Sequence, residues 1–236
     1  MPAAYAENAP LIPCQHDLSG NSGLKSRIHI PTTSHPPVTT ELDRNAIRRQ
    51  VRERRRALSS QERDHLSARL AAHITRSSLF RNSRTLALYL PNDGEVDLTE
   101  VAQSAWAMGK QCFLPVLSPL YHNRLWFAPY TPESTLELNR FGIAEPALNW
   151  RAMRQVWTLD LLLMPLVAFD LHGNRLGMGG GFYDRTLAYL ARRNQWRKPH
   201  LVGTAFELQR FDALPNEPWD VPLEGVVTEA SFYLSV

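Results

Sequence analysis

Leu161-Leu162-Leu163-Met164-Pro165-Leu166-Val167-Ala168-Phe169 is an unbroken apolar run bounded by Asp160 and Asp170. It is about half the roughly 20 residues that a membrane span needs, and it contains a proline. A half-exposed strand would alternate apolar and polar residues. A continuous run is instead what a central parallel strand buried on both faces requires, so Leu161–Ala168 is predicted to be that strand.

On the C-terminal side the chain enters Asp170-Leu171-His172-Gly173-Asn174-Arg175-Leu176-Gly177-Met178-Gly179-Gly180-Gly181 and then a helix predicted over Phe182–Arg193. Glycines this dense cost backbone entropy, which points to positive φ angles or to a close approach by a ligand. The loop leads to a helix N-terminus, where unpaired N–H groups favour an anion. Arg175 before the glycines adds a permanent positive charge, and Asp184 after them is an oxygen ligand suited to magnesium. The Walker pattern and the dinucleotide-binding glycine spacing are both absent. Taken alone, the cluster also fits a tight strand-to-helix turn without a ligand. His172 reads as a turn residue.

Toward the N-terminus, Arg84–Leu90 and Gln111–Val116 read as strands. Asn92-Asp93-Gly94 is a turn, and Asp97 and Glu100 are placed to cap a helix that Gly109 stops after Met108. Further upstream, Ile47, Val51 and Leu58 mark the apolar side of a helix starting near Leu42, with Arg44, Arg48, Arg52 and Arg55 on another side. Ser59 and Glu62 form a capping box for a second helix running to about Thr75. Downstream, Arg124–Tyr130, His200–Phe206 and Gly225–Thr228 read as further strands. Such β-α-β alternation predicts an α/β fold, with a mostly parallel central sheet between helical layers in a single domain.

The chain has 236 residues, 44% hydrophobic and 21% charged, enough for one substantial core. A net charge of +3 is ordinary for an enzyme that handles anionic ligands and gives no reason to expect nucleic acid. Arg44–Arg56 is arginine-rich, and a solvated helix face is the ordinary reading of such a run, above all for Arg54, Arg55 and Arg56. Cys14 and Cys112 form neither a disulfide framework nor a metal motif, so a reducing cytoplasm is the expected location. Nothing in the sequence reads as a membrane span. Residues 1–40 hold 6 of the 17 prolines and no periodic pattern, and read as a mobile extension before a catalytic domain over 41–236.

The segments Met164–Asp170, Gly173–Gly177 and Gly179–Arg185 together closely resemble the signature of the 5-formyltetrahydrofolate cyclo-ligase family, also called methenyltetrahydrofolate synthetases. Arg44-Asn45-Ala46-Ile47-Arg48 resembles that family's first-helix motif and Gly94-Glu95-Val96 its acidic turn. Phe141-Gly142-Ile143-Ala144-Glu145-Pro146 resembles its mid-chain motif, and Gly203-Thr204-Ala205 with Gln209 and Asp220 its C-terminal signature. The motifs stand in the family's order over roughly 43–230. Arg44 stands where lysine is common, Gly180 where Lys or Arg is frequent, Phe182 in place of a frequent tyrosine and Trp219 where histidine is usual.

The resemblance implies an ATP- and Mg²⁺-dependent ligase on a three-layer α/β fold. It would convert 5-formyltetrahydrofolate, with or without a polyglutamate tail, to 5,10-methenyltetrahydrofolate. The sequence leaves the oligomeric state open, with a monomer favoured, and no membrane or nucleic-acid partner is expected. Residue by residue, it implies nucleotide contacts at Arg44, Asn45, Ala46, Ile47 and Arg48, and at Arg175, Leu176, Gly177, Met178, Gly179, Gly180, Gly181, Phe182 and Tyr183. Folate contacts are implied at Arg48, Glu95, Met178, Gly179, Gly180, Gly181 and Phe182, catalytic roles for Arg175 and Tyr183, and magnesium ligation by Asp184 and Asp220. On their own, Glu95 reads as an exposed acid, Tyr183 as packing beneath the loop, and Asp220 as the cap of a turn in Asn216–Pro222.

Overall fold

The computed structural model describes residues 43–118, 120–121, 123–139, 142–147, 149, 151–190 and 198–235. The expected N-terminal extension and the end of the helix predicted to reach Arg193 lie outside them. The helices are α1 (Arg44–Ala57), α2 (Ser60–Arg76), α3 (Ser78–Asn82), α4 (Thr99–Ala107) and α5 (Phe182–Leu187). The strands are β1 (Thr85–Ala87), β2 (Gln111–Leu117), β3 (Leu125–Tyr130), β4 (Leu136–Leu138), β5 (Ala144–Pro146), β6 (Leu161–Pro165), β7 (Ala168–Phe169), β8 (Arg175–Leu176), β9 (His200–Thr204), β10 (Gly225–Val227) and β11 (Phe232–Leu234).

Seven strands form one sheet in the order β11-β10-β9-β6-β1-β2-β3. The inner strands are parallel, and β11 and β3 close the two edges antiparallel. Successive side chains of a strand point to opposite faces. Accordingly Leu86, Leu161, Leu163, Cys112, Leu114 and Val202 join Leu70, Ile74, Val101 and Ala105 of α2 and α4 in one core. Ala87, Leu162, Met164, Phe113 and Leu201 join Val156, Leu159 and Leu187 in another. The sheet is therefore the middle of three layers, as the α/β reading requires. In that setting burial pushes the Cys112 thiol up to about 12.

Local signals set the helix boundaries. Ser59 and Glu62 make the expected capping box at α2, with the Glu62 carboxylate accepting from the Ser59 N–H at 2.8 Å. Asp97 does not cap α4 directly; Leu98 holds that position, and Asp97 accepts from the Thr99 N–H at 2.8 Å. The short α3, the β4–β5 ribbon and the edge strand β11 go beyond the sequence reading, which is unsurprising for elements of 3 to 5 residues with little periodicity.

The deciding apolar run is not one strand. The sheet strand ends at Pro165, and Ala168–Phe169 turn away to pair antiparallel with Arg175–Leu176. A break inside the core would strand backbone carbonyls. The buried Gln209 amide prevents this by donating to Leu166 O at 2.8 Å and Val167 O at 2.9 Å. Asp170 holds the following turn, accepting from the His172, Asn174 and Leu214 N–H groups and the Asn174 amide. The strand predicted over Arg84–Leu90 likewise ends early, at Ala87, and α5 is regular only through Leu187.

Asp160 stitches the start of β6 to β1. Its carboxylate accepts from the Arg84 and Thr85 N–H groups, the Thr85 hydroxyl and Lys198. Partial burial works against ionisation, but these donors outweigh it and hold the carboxyl far below the ordinary 3.8. A depressed carboxyl stabilises the fold above its unfolded value and loses that contribution as pH falls toward its folded value. Asp160→Ala is expected to cost about 2 kcal/mol at neutral pH, and urea titrations should show the gap to the parent protein narrowing as pH drops below that ordinary value.

Candidate active site

Crossovers from β1 lead to β2 on one side of the sheet, and crossovers from β6 lead to β9 and β10 on the other. The two series part between β1 and β6, and the crevice beyond the C-terminal ends of such strands is where open α/β sheets bind ligands. A cavity of about 900 Å³ lies there. Tyr89 and Leu90 line it from beyond β1, Pro165 and Leu166 from the end of β6, and Leu114, Pro115 and Leu117 from β2.

Most of the residues singled out in the sequence converge on this cavity. Arg44, Arg48, Glu95, Arg175, Gly177, Met178, Gly179, Gly180, Gly181, Phe182, Tyr183, Asp184 and Asp220 all line it. Asn45, Ala46, Ile47 and Leu176 do not. Ile47 and Leu176 are buried with Val51, Val167 and Ala168, fastening α1 to the β7–β8 ribbon. The Asn45 side chain accepts from Arg48 Nη1 at 2.8 Å. That helix segment thus offers the cavity two arginines one turn apart and uses its intervening residues as support.

The loop conformation explains its glycines. Gly179 has φ 95° and Gly181 φ 63°, both in the left-handed region that side chains disfavour, and Gly181 caps the N-terminus of α5. Arg48 fastens the other end of the loop by donating from Nε to Gly177 O at 2.8 Å. Arg185 ties its middle by donating to Gly180 O. Met178 is 52% exposed and Trp219 68% exposed, large apolar surfaces beside the cavity rather than core residues.

Charge on one wall is arranged in pairs. Arg175 is buried and donates to Asp184 Oδ1 at 2.5 Å and to Val221 O. Arg44 donates from Nη2 to Asp220 Oδ2 at 2.8 Å, while its buried Nε has no hydrogen-bond partner among the described residues. Asp220 also accepts from the Glu217 N–H at 3.0 Å, so it caps a turn and faces the cavity at once. Burial disfavours the charge on Arg175, with Asp184 and Asp220 opposing that effect. Burial and the neighbouring Arg44 likewise lower the Arg48 pKa. Such cations gain when an anion enters.

A second group of lining residues gathers around Glu95. Burial raises the Glu95 carboxyl above its usual value, with Arg55 pulling the other way. Tyr183 is half-buried, and its hydroxyl is pushed well up by desolvation and then by Glu95, so it stays protonated. Tyr89, not singled out from the sequence, also faces Glu95 and shares a 2.9 Å hydrogen bond with Thr204. Glu145, Asn139 and Arg185 also line the cavity. Tyr89 and Asn139 carry no signal in the sequence, whereas Glu145 and Arg185 stand out there only as members of the mid-chain and Gly179–Arg185 motifs. Trp126 and Phe127 do not line the cavity, and Phe127 is core.

A metal needs oxygen donors, and Asp184 and Asp220 supply two carboxylates on one wall. Among the described residues no group of three His, Cys, Asp or Glu side chains is poised for a cation. Two carboxylates nonetheless fit magnesium, which commonly takes one or two from the protein and completes its octahedron with phosphate oxygens and water.

A doubly covered, mostly parallel sheet with a glycine loop and an arginine-lined cleft at its switch point defines an α/β fold of the kind that carries its site beyond the strand ends. The family model of the 5-formyltetrahydrofolate cyclo-ligase family matches residues 40–229. The 5-formyltetrahydrofolate cyclo-ligase of Escherichia coli K12 is 40% identical over 183 residues, covering 78% of this chain and 98% of the relative. That of Haemophilus influenzae is 40% identical over 185 residues, covering 78% and 96%. The solved structure of Aquifex aeolicus 5,10-methenyltetrahydrofolate synthetase superposes with a TM-score of 0.68 at 33% identity, covering 81% of this chain and 92% of that one. The chain belongs to the 5-formyltetrahydrofolate cyclo-ligase family.

Gly179→Ala tests the loop's conformational demand. A Cβ there would sit 3.6 Å from Arg48, ordinary contact, so the strain comes from φ alone. The substitution is expected to lower unfolding free energy by about 1–2 kcal/mol in urea titration without changing the far-ultraviolet circular dichroism.

Proposed function

We propose that this enzyme uses ATP and Mg²⁺ to cyclise 5-formyltetrahydrofolate to 5,10-methenyltetrahydrofolate, releasing ADP and phosphate through a phosphorylated formyl intermediate. The observation that carries the reading is one cavity holding both halves of the chemistry. Arg44, Arg48 and Arg175 line it with Asp184, Asp220 and the glycine loop, and Glu95, Tyr89 and Tyr183 line it as well. The names of the curated relatives and solved structures support the same substrate and product.

A formyl amide is a poor electrophile with a poor leaving oxygen. Transfer of the γ-phosphoryl group to that oxygen breaks the terminal phosphoanhydride bond and leaves ADP. The N10 lone pair then attacks the formyl carbon, the C–O bond breaks with its electrons going to phosphate, and the N10 proton passes to water. The protein's contribution is positioning and charge neutralisation. Arg175 and Arg44 would engage phosphate oxygens, the unpartnered Arg44 Nε offering a donor already in place. The N–H groups of the left-handed glycine loop would approach the same oxygens. Arg48, anchored to Gly177, lies where the two ligands would meet. Asp184 and Asp220 would hold Mg²⁺, which neutralises charge on the phosphates. Tyr183, kept protonated, donates a hydrogen bond toward the formyl group, and Glu95 accepts from the N–H groups of the pterin ring.

The test is direct: protein, 5-formyltetrahydrofolate, ATP and Mg²⁺ are mixed, and the near-ultraviolet absorbance of the methenyl product is followed with each component omitted in turn. Absorbance should rise only in the complete mixture, with one ADP per product. Asp184→Asn should lower Mg²⁺-dependent turnover at least about 100-fold while leaving thermal unfolding cooperative. A flat trace in the complete mixture with ATP still bound would sink the folate half of the reading.

A further inference from the structure

Arg55 lies on α1 one helical turn beyond Val51, in line with Ile47 and Val51 on the buried side of the helix, and its side chain is 0% exposed. A buried cation is costly unless its charge and its donors are all met. Arg55 Nη2 donates to Asp93 Oδ2 at 3.1 Å, but Nε and Nη1 have no hydrogen-bond partner among the described residues.

Asp93 does not account for it. That carboxylate already receives Arg52 Nε at 2.6 Å and Arg56 Nε at 2.6 Å. Burial alone would raise its pKa, yet those two bonds outweigh it and hold the carboxyl below its usual range. A third arginine, more deeply buried than the other two, is not needed to hold the Asn92–Glu95 turn. The free edge of its guanidinium faces Glu95 instead, with Nη1 3.9 Å from Oε1.

Glu95 needs such a neighbour. Its side chain is 13% exposed, and its carboxylate accepts from the Asn92 N–H at 3.1 Å. Among the described residues, the other titratable groups that interact with it are the acid Asp93 and the hydroxyls of Tyr89 and Tyr183, none of which is a cation.

We propose that Arg55 is a positioning residue for the substrate: from behind the cavity wall it keeps the Glu95 carboxylate ionised and aimed, so that the non-nucleotide ligand is recognised by a charged acceptor. This rests on the reading above that Glu95 contacts the folate. The ligand edge it fits is a pair of adjacent N–H donors on a flat heterocycle, which an ionised carboxylate accepts and a protonated one does not. Arg55 touches neither ligand and acts through Glu95.

The experiment compares Arg55→Met, Arg55→Lys, Glu95→Gln and the double variant Arg55→Met/Glu95→Gln, reading KM for 5-formyltetrahydrofolate and for ATP separately, with a melting curve for each protein. Arg55→Met should raise the folate KM roughly 10- to 100-fold, the scale of one charge-assisted hydrogen bond, and leave the ATP KM within about twofold. In the double variant the folate KM should match that of Glu95→Gln alone, because the arginine has nothing left to act on. Removing the cation raises the Glu95 pKa, and the competent ionised form lies above that pKa. The folate KM of Arg55→Met should therefore fall as pH rises from 6 to 9, a trend absent from Glu95→Gln. Should Arg55→Met not fold, Arg55→Lys carries the same test, since one ammonium cannot serve Asp93 and Glu95 together. Equal rises in both KM values, or losses that add in the double variant, would overturn the role of Arg55. A Glu95→Gln protein with unchanged folate KM would instead overturn the placement of the folate.

Discussion

A sheet covered on both faces leaves little room for polar chemistry along its strands, because most side chains of β1 and β6 and the middle of β9 belong to one of two apolar cores. Ionised groups can gather only where the strands run out. The cavity at the C-terminal ends of β1 and β6 follows from that constraint, as does the abrupt end of β6 at Pro165. Had the apolar run continued as a strand, the glycine loop would have begun too far along to reach α1. The Gln209 amide, satisfying the carbonyls of Leu166 and Val167, lets the break occur inside a dry core.

Helix α1 is the second element on which the site depends. It carries Arg44 and Arg48 to the cavity, Arg52, Arg55 and Arg56 to the Asn92–Glu95 turn, and Ile47 and Val51 to the ribbon that bears the glycine loop. One helix therefore registers the loop against the turn. Side chains of α1 thereby hold the loop and the turn in a fixed relation.

The layering, the helices α1 and α2 and the parallel strands were legible because they depend on periodicity and local caps, which a single sequence displays. Most site residues were legible too, but through the order of motifs along the chain rather than through chemistry visible at any one of them. Glu95 read alone is an acid in a polar turn; only the fold buries it. Arg55 marks the limit of such reading. A run of arginines reads as a solvated face, and the same spacing that put Ile47 and Val51 inside also put Arg55 there, which needs knowledge of Asp93 and Glu95 opposite. Strand lengths were overestimated where the continuing apolar residues served other elements, as in Leu88 and Leu166 to Phe169. Short pieces such as β4, β5 and β11 are defined by their partners and leave little trace of their own.

The cavity's charges have a kinetic consequence. Arg44, Arg48, Arg175 and Arg185 are matched by Glu95, Glu145, Asp184 and Asp220, and the closest of them are already engaged with one another. Seen from beyond a Debye length the opening presents almost no net field. An anionic ligand of the kind proposed above would then gain little from long-range steering, and its discrimination would begin on contact, when guanidinium groups exchange an internal carboxylate for an incoming oxygen. Such a pocket gives up speed of capture and in return does not fill with every small anion of its surroundings.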